Sequence, residues 1–284
     1  MQVFIKGPFV LREWFDRGLV FGNKPFVVYE GERYSFEESL HIAAAFAQQL
    51  VHRHSIQKGD RVAIAARNSP EWVFAFMAVC SIGAVVVPLN GWWVGKELAY
   101  GLRDSGAVLV IADEERIRRI FSVLPEVPAL RAAVVVRGPV PTTWPETVSV
   151  ASWADEVAAF PEARWGELPG LGLGTQQDDP AIIMYTSGTT GHPKGVVLTH
   201  RGVLSMLKML LVLSLAAQRA TPPGVVKKEK PNAMLVPVPL FHVTGTHAIF
   251  LASFVTGGHL RPQLTPHAHT PPPRPHCTTY FLRL

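Results

Sequence analysis

Residues 61–88 of the chain read RVAIAARNSPEWVFAFMAVCSIGAVVVP. The stretch begins with a short apolar run, Arg61 to Ala65, which is typical of a β-strand. Residues 69–71 then give an N-cap serine, a first-turn proline and a first-turn glutamate, so we expect a helix that runs to Gly83. Ala84 to Pro88 follows as a β-branched, fully apolar run. The stretch therefore predicts one strand–helix–strand unit.

The same alternation continues along most of the chain. Ser35 and Glu38 form a capping-box pattern at the start of a predicted helix that runs to about His54. Apolar strands separated by helices of about 10–15 residues are typical of a parallel sheet covered on both faces. The fold class is therefore α/β, with mostly parallel sheets flanked by helices. The further strands are predicted at residues 108–112, 132–136, 181–185, 196–199 and 233–237, and the further helices at 95–105, 113–124, 153–160, 200–217 and 240–255.

The pattern weakens in two places. Residues 138–180 contain repeated prolines and a glycine-rich run, which are typical of a loop-rich connection. The last 24 residues, from Arg261 onward, contain six prolines, three histidines and no carboxylate side chain. We therefore divide the chain into one folded domain, residues 1–258, and a proline-rich tail, residues 259–284, which we expect to be disordered.

Composition narrows the class of protein. Of the 284 residues, 48% are hydrophobic and 17% are charged, which is enough apolar material for a core and too little charge for a disordered chain. The net charge is +5, but the basic residues do not cluster, which argues against a nucleic-acid surface. Two cysteines do not make a disulfide framework, and they favour a reducing compartment. We therefore expect the cytoplasm, with a peroxisomal location left open.

No segment of the sequence predicts a membrane span. The longest apolar run, Val203 to Ala217, is interrupted by Lys208 and is shorter than the roughly 20 residues that cross a bilayer. We expect a buried helix there, and a weak association with a membrane surface stays open as an alternative.

The segment with the clearest chemical meaning is residues 185–196, YTSGTTGHPKGV. It follows an apolar strand and combines glycines, which allow close backbone approach, with hydroxyl side chains and one lysine. Such a loop can direct backbone N–H groups, hydroxyls and a positive charge at one anion. It predicts a site for a di- or triphosphate. The candidate phosphate-binding residues are Thr186, Ser187, Gly188, Thr189, Thr190, Gly191 and Lys194.

Two other interpretations of this loop are weaker. A Walker A loop requires a glycine before the lysine and a Ser or Thr after it, but Pro193 and Gly195 stand at these positions. A plain surface turn is the second alternative, although such a turn rarely combines three glycines, four hydroxyls and a lysine. A phosphate loop of another kind fits the residues best.

The loop resembles the signature of the AMP-forming adenylate superfamily, which includes acyl-CoA synthetases, aryl-CoA ligases, luciferases and peptide-synthetase adenylation domains. Residues 81–90, SIGAVVVPLN, are similar to a further segment of that family. Residues 239–245, PLFHVTG, resemble the aromatic-histidine motif of its acyl- and aryl-CoA ligase branch. The resemblance covers roughly Tyr34 to Gly258. It identifies the chain as an N-terminal portion of an adenylate-forming enzyme.

The resemblance implies a two-step reaction that uses ATP, Mg²⁺ and coenzyme A. A carboxylic acid, fatty or aryl, would attack the α-phosphate of ATP to give an acyl-adenylate, and the thiol of coenzyme A would then displace AMP. Lys194 would neutralise phosphate charge as a catalytic residue. His242 would border the path of the carboxylate and the thiol, although a structural histidine at a helix start is the alternative. The pair Trp92-Trp93 lines a substrate pocket or packs in the core.

The resemblance also implies that parts of the family pattern are missing. Motifs for adenine, the ribose and the mobile C-terminal domain follow later in full-length members, and none is recognisable after Gly258. We therefore expect a domain that is incomplete at its C-terminal side, with apolar surface left exposed beside the phosphate loop. Two functions stay open: a truncated acid–CoA ligase, and a non-catalytic product that binds nucleotide phosphate.

Overall fold

The strand–helix alternation folds into two sheets. The computed structural model describes residues 7–168, 174–186, 192–220 and 233–262. The strands are β1 Pro25–Tyr29, β2 Glu32–Ser35, β3 Arg61–Ala65, β4 Val85–Pro88, β5 Leu109–Asp113, β6 Ala132–Val136, β7 Ser149–Ser152, β8 Pro180–Thr186, β9 Lys194–Thr199, β10 Ala233–Val236 and β11 His259–Pro262. The helices are α1 Leu11–Asp16, α2 Phe36–His52, α3 Pro70–Ser81, α4 Gly95–Ser105, α5 Glu114–Phe121, α6 Trp153–Ala158, α7 His200–Arg219 and α8 Ala252–Thr256. A π-helical segment, Thr244–Leu251, leads into α8.

The larger sheet confirms the α/β fold class. Its seven strands lie in the order β7-β6-β5-β3-β4-β8-β9, and only the last pair, β8 with β9, is antiparallel. Along β3, Val62 and Ile64 face the core formed with α2 and α3, whereas Ala63 and Ala65 face the core formed with α4 and α5. The sheet is therefore buried on both faces, as fully apolar strands predict.

The predicted helix starts are present with their capping contacts. Ser35 Oγ accepts from the N–H of Glu38 at 3.1 Å, and Glu38 Oε2 accepts from the N–H of Ser35 at 2.7 Å. Asp113 Oδ1 accepts from the N–H of Arg116 at 3.1 Å at the start of α5. Helix α5 ends at Phe121, earlier than predicted, and a 3-10 turn at Leu124–Glu126 follows it.

The smaller sheet was not predicted as a unit. Its order is β10-β11-β1-β2, with β11 parallel to both of its neighbours. Strand β11 corrects the predicted tail, because His259–Pro262 pairs inside a sheet rather than beginning a disordered segment. The strand has no apolar run to reveal it, yet Leu260 is fully buried against Val27. The remainder of the predicted tail, residues 263–284, lies outside the described residues.

Two parts of the described structure, β9 and the second half of α7, carry exposed apolar side chains. Val196 and Val197 lie on β9, at the end of the strand order, and are 43% and 55% exposed. On the second half of α7, Met209, Val212 and Leu213 are also exposed, so the expectation of a buried helix at residues 203–217 was correct only for its first part. Within the described ranges, no helix has the length and apolar character needed to cross a bilayer.

Arg137 connects the two sheets. It follows β6 with φ = 50°, and its Nε donates to Glu71 of α3 at 2.8 Å. Its Nη1 and Nη2 donate to the two carboxylate oxygens of Glu32 in β2, at 3.0 and 2.6 Å. The hydrogen bond from Arg137 is the main reason that the pKa of Glu32 lies below its usual value.

We expect Arg137→Ala to lower the free energy of unfolding by about 1–2 kcal/mol at pH 7, because three charge-assisted hydrogen bonds between elements are lost at a partly exposed site. Urea unfolding followed by circular dichroism measures the change. The lowered pKa of Glu32 means that its contribution is present above pH 4.5 and is lost as the pH falls through the folded-state pKa. The difference in the free energy of unfolding between wild type and Arg137→Ala should therefore be smaller at acid pH than at pH 7.

Arg118→Ala is the matched control, since its ion pair with Glu114 lies within one helix, on the side that faces solvent, and should contribute about 0.5 kcal/mol or less. Equal losses for the two variants would contradict the role assigned to Arg137.

Candidate functional site

The candidate phosphate loop lies between the two strands of the antiparallel hairpin β8–β9. Thr186 and Lys194 are register partners at the turn end of this hairpin, and both are exposed. Thr186 Oγ1 lies 3.5 Å from the carbonyl oxygen of Lys194. The other predicted phosphate-binding residues, Ser187, Gly188, Thr189, Thr190 and Gly191, lie outside the described residues. The structure therefore places the two ends of the predicted site side by side.

The turn end of the hairpin lies at the carboxyl edge of the large sheet. Strand β8 is parallel to β4, and β4 is parallel to β3, so the segments that follow these three strands emerge on the same side. This edge is where open parallel sheets bind their ligands. It brings together Thr186, at the end of β8, and the segments that contain Asn68 and Trp92.

Helix α4 holds both strands of the hairpin. Tyr185 lies on β8, and its Oη donates to Oδ2 of Asp104 on α4 at 2.7 Å. Tyr100 Oη donates to the carbonyl oxygen of Pro193 at 2.9 Å, and its ring stacks on His192 with centroids 5.1 Å apart. These contacts lie directly beside Thr186 and Lys194, so α4 fixes where the phosphate loop begins and ends.

The phenol of Tyr185 is kept neutral by its surroundings. Burial is the first cause of a pKa above the usual value of 10.0, and the hydrogen bond and negative charge of Asp104 add to it. The neutral hydroxyl is the form that can donate to Asp104.

The two adjacent tryptophans differ in burial and in the ring that each contacts. Trp93 is buried and packs edge-on against Tyr185, with ring centroids 5.6 Å apart. Trp92 is 44% exposed and packs edge-on against Phe241 at 5.5 Å. The pair therefore connects Tyr185, which precedes Thr186, with Phe241, which precedes His242.

His242 lies exposed at the entrance to the π-helical segment. Its Nδ1 accepts from the N–H of Thr244 at 3.3 Å, and its carbonyl oxygen accepts from the N–H of Thr246 at 3.0 Å. At Gly245 an added Cβ would stand 2.2 Å from the carbonyl oxygen of Pro239, so the turn leaves no space for a side chain there. π-Helical turns are frequent at functional sites.

Asn68 was not identified from the sequence. Its Nδ2 donates to the carbonyl oxygen of Val238 at 2.9 Å, and its Oδ1 accepts from the N–H of Leu240 at 2.7 Å. These partners are 170 and 172 residues away along the chain, and no local pattern predicts such a contact. Tyr100 and Asp104 were missed for the same reason.

The described residues offer no ready metal site. Across these parts of the chain, no group of three or more His, Cys, Asp or Glu side chains is placed to hold a metal ion. The candidate site is therefore built from hydroxyl, lysine, histidine and aromatic side chains.

Comparison with known proteins gives a family match and homologous ligases. Residues 15–273 match the family of AMP-binding enzymes. The match extends beyond the predicted limits on both sides, so the expectation that the resemblance ends at Gly258 was wrong. The long-chain-fatty-acid–CoA ligase FadD13 of Mycobacterium tuberculosis is 36% identical over 198 residues, which are 69% of this chain and 34% of that protein.

A plant relative and a solved structure agree with this match. The 4-coumarate–CoA ligase 3 of Arabidopsis thaliana is 30% identical over 229 residues, 80% of this chain and 36% of that protein. The crystal structure of the anthranilate CoA ligase AuaEII in complex with anthranoyl-AMP aligns with a TM-score of 0.73 over 89% of this chain and 45% of that one. Its 22% identity shows a shared fold only. The chain spans about a third of the length of these two curated relatives.

We expect Tyr185→Phe to lower the free energy of unfolding by about 1 kcal/mol at pH 8, because the hydrogen bond to Asp104 is lost. The raised pKa of Tyr185 makes this contribution complete below pH 10 and lost as the pH rises above 10. Urea unfolding at pH 8 and pH 10.5 should therefore show a smaller difference between the two proteins at the higher pH.

The other tyrosines are common to both proteins, so their titration cancels in this comparison. A difference that stays constant between the two pH values would contradict the account of Tyr185.

Proposed function

The chain belongs to the AMP-binding enzyme family, and from this premise we propose that it supplies the phosphate-binding part of an acid–CoA ligase. Such an enzyme joins a carboxylic acid to ATP to give an acyl-adenylate and pyrophosphate. The thiol of coenzyme A then attacks the acyl carbon, and AMP leaves.

The observation that carries this proposal is the hairpin β8–β9, with Thr186 opposite Lys194 at the carboxyl edge of the sheet. The five residues between Thr186 and His192, Ser187-Gly188-Thr189-Thr190-Gly191, contain only hydroxyl and glycine side chains. Hydroxyls and backbone N–H groups at such a position suit phosphate oxygens. Helix α4 supports both ends of the loop, which reduces the cost of ordering it around an anion.

The residues of the loop have distinct roles in this proposal. Lys194 places a positive charge beside the β- and γ-phosphates, where charge increases as pyrophosphate leaves. Thr186, Ser187, Thr189 and Thr190 donate from their hydroxyls, and Gly188 and Gly191 let the backbone approach. The loop thus holds the leaving group while the oxygen of the carboxylate forms its bond to the α-phosphorus and the bond to the bridging oxygen breaks.

His242 is proposed to border the path of the acid and the thiol. It lies exposed at the same edge as Trp92 and Phe241, which present aromatic surface. Relatives named for fatty and for aryl acids match this chain at similar identity, so both acid classes stay within the proposal. Mg²⁺ would enter with the phosphates of ATP, and we assign it no residue of this chain and no step. We also propose a cytoplasmic location, from the cysteine content.

A second candidate function is phosphate binding without turnover. The exposed apolar residues of β9 favour it, because Val196 and Val197 stand two and three positions after Lys194 and have no covering element among the described residues. A protein that needs a further covering element there would bind phosphate and yet fail to complete the reaction.

We expect Lys194→Ala to weaken binding of ATP by about 10- to 100-fold at low salt, because one charge-assisted contact to phosphate is lost. Isothermal titration calorimetry of the 284-residue chain measures it, with inorganic pyrophosphate as a second ligand. Lys24→Ala is the matched control, since Lys24 precedes β1 in the other sheet. Unchanged ATP binding by Lys194→Ala would refute the assignment of the loop.

Release of pyrophosphate separates the two functions. A ligase should release pyrophosphate from ATP faster when a fatty acid or an aryl acid is added, and Lys194→Ala should remove most of this increase. Binding of ATP without any acid-dependent release would support the second function and contradict the first for this chain.

A further inference from the structure

The turn before His242 is held by one side chain from the other sheet. Val238 and Leu240 flank Pro239, which has no N–H to donate. The amide of Asn68, which follows β3, donates to the carbonyl oxygen of Val238 at 2.9 Å and accepts from the N–H of Leu240 at 2.7 Å. A primary amide is well suited to this pair, because it carries a donor and an acceptor side by side.

A second contact holds the same turn from the segment after β4. The ring of Trp92 meets Phe241 edge-on at 5.5 Å, and the guanidinium of Arg67 lies 5.7 Å from the centroid of Trp92. The backbone N–H of Arg67 donates to Asp113 at 3.1 Å, and Asp113 pairs with the buried guanidinium of Arg116. Asn68 follows β3 and Trp92 follows β4, so both side chains are positioned by neighbouring strands of the large sheet.

The orientation of His242 follows from this turn. The N–H of His242 donates to the carbonyl oxygen of Pro239 at 3.1 Å, and its Nδ1 accepts from the N–H of Thr244. Nδ1 is therefore the acceptor nitrogen, and the ring proton of the neutral imidazole lies on Nε2. A turn that moved away from Asn68 would change both contacts.

We propose that Asn68 is a positioning residue, which fixes the turn at Val238–Leu240 and thereby sets the orientation and the tautomer of the His242 imidazole at the candidate site. The functional importance of this inference rests on the proposed function, in which His242 borders the path of the acid and the thiol. The effect of Asn68 on the His242 ring does not depend on nucleotide binding.

The test is nuclear magnetic resonance of the His242 imidazole nitrogens in the full chain at pH 8, assigned with His242→Gln. Wild type should show Nδ1 as the acceptor and Nε2 as the protonated nitrogen. Asn68→Ala should reduce the ratio of the Nε2–H tautomer to the Nδ1–H tautomer by about two- to tenfold, because the hydrogen bond from Thr244 to Nδ1 is no longer held in place. Asn68→Asp, which keeps an acceptor for the N–H of Leu240 but cannot donate to Val238, should give an intermediate ratio.

Two controls separate positioning from general stability. Asn23→Ala removes an exposed amide before β1 and should leave the His242 signals unchanged. The ring of His192, stacked on Tyr100 beside the hairpin, should keep its signals in every variant. Thermal unfolding of each variant is recorded beside the spectra.

An unchanged His242 tautomer ratio in folded Asn68→Ala would overturn the proposal, whatever the change in thermal stability. Unfolding of both Asn68→Ala and Asn68→Asp would also overturn it, because Asn68 would then be a residue of general stability. A changed tautomer ratio in a protein that does not bind ATP would support the proposal and count only against the proposed function.

Discussion

The central constraint on this structure is that the large sheet is parallel and buried on both faces. Polar side chains cannot lie within such a sheet without a partner, so they collect where its strands end. Thr186, Asn68 and Trp92 all lie at or just after the carboxyl ends of strands, and the turn end of the hairpin β8–β9 lies at the same edge. The site thus depends on the register of β3, β4 and β8, which places these segments next to one another.

Helix α4 adds the second requirement, which is that the phosphate loop begins and ends at fixed points. Tyr185 and Tyr100 provide one hydrogen bond on each side of the loop, and Gly101 allows the close approach of Leu89 and Trp93 at 2.8 Å from where a Cβ would lie. The tryptophans then connect this support to the turn at His242. The two motifs are separate in sequence, and the adjacent rings of Trp92 and Trp93 connect them in space.

The sequence predicted the parts of the fold that follow from local pattern. Strands β3 and β6 and helix α4 have the predicted limits, because apolar runs and caps are encoded locally. Strand β11 was missed, since its pairing with β1 depends on residues more than 200 positions away. Asn68 was missed for a similar reason: its amide has no local partner, and its contacts with Val238 and Leu240 exist only when both sheets are formed.

The most direct measurement of the central claim is a competition experiment on the 284-residue chain. ATP is bound first, and inorganic pyrophosphate or adenosine is then added while the fraction of bound ATP is measured. If the hairpin β8–β9 holds the β- and γ-phosphates, pyrophosphate should displace ATP and adenosine should have little effect. Displacement by adenosine but not by pyrophosphate would contradict the account.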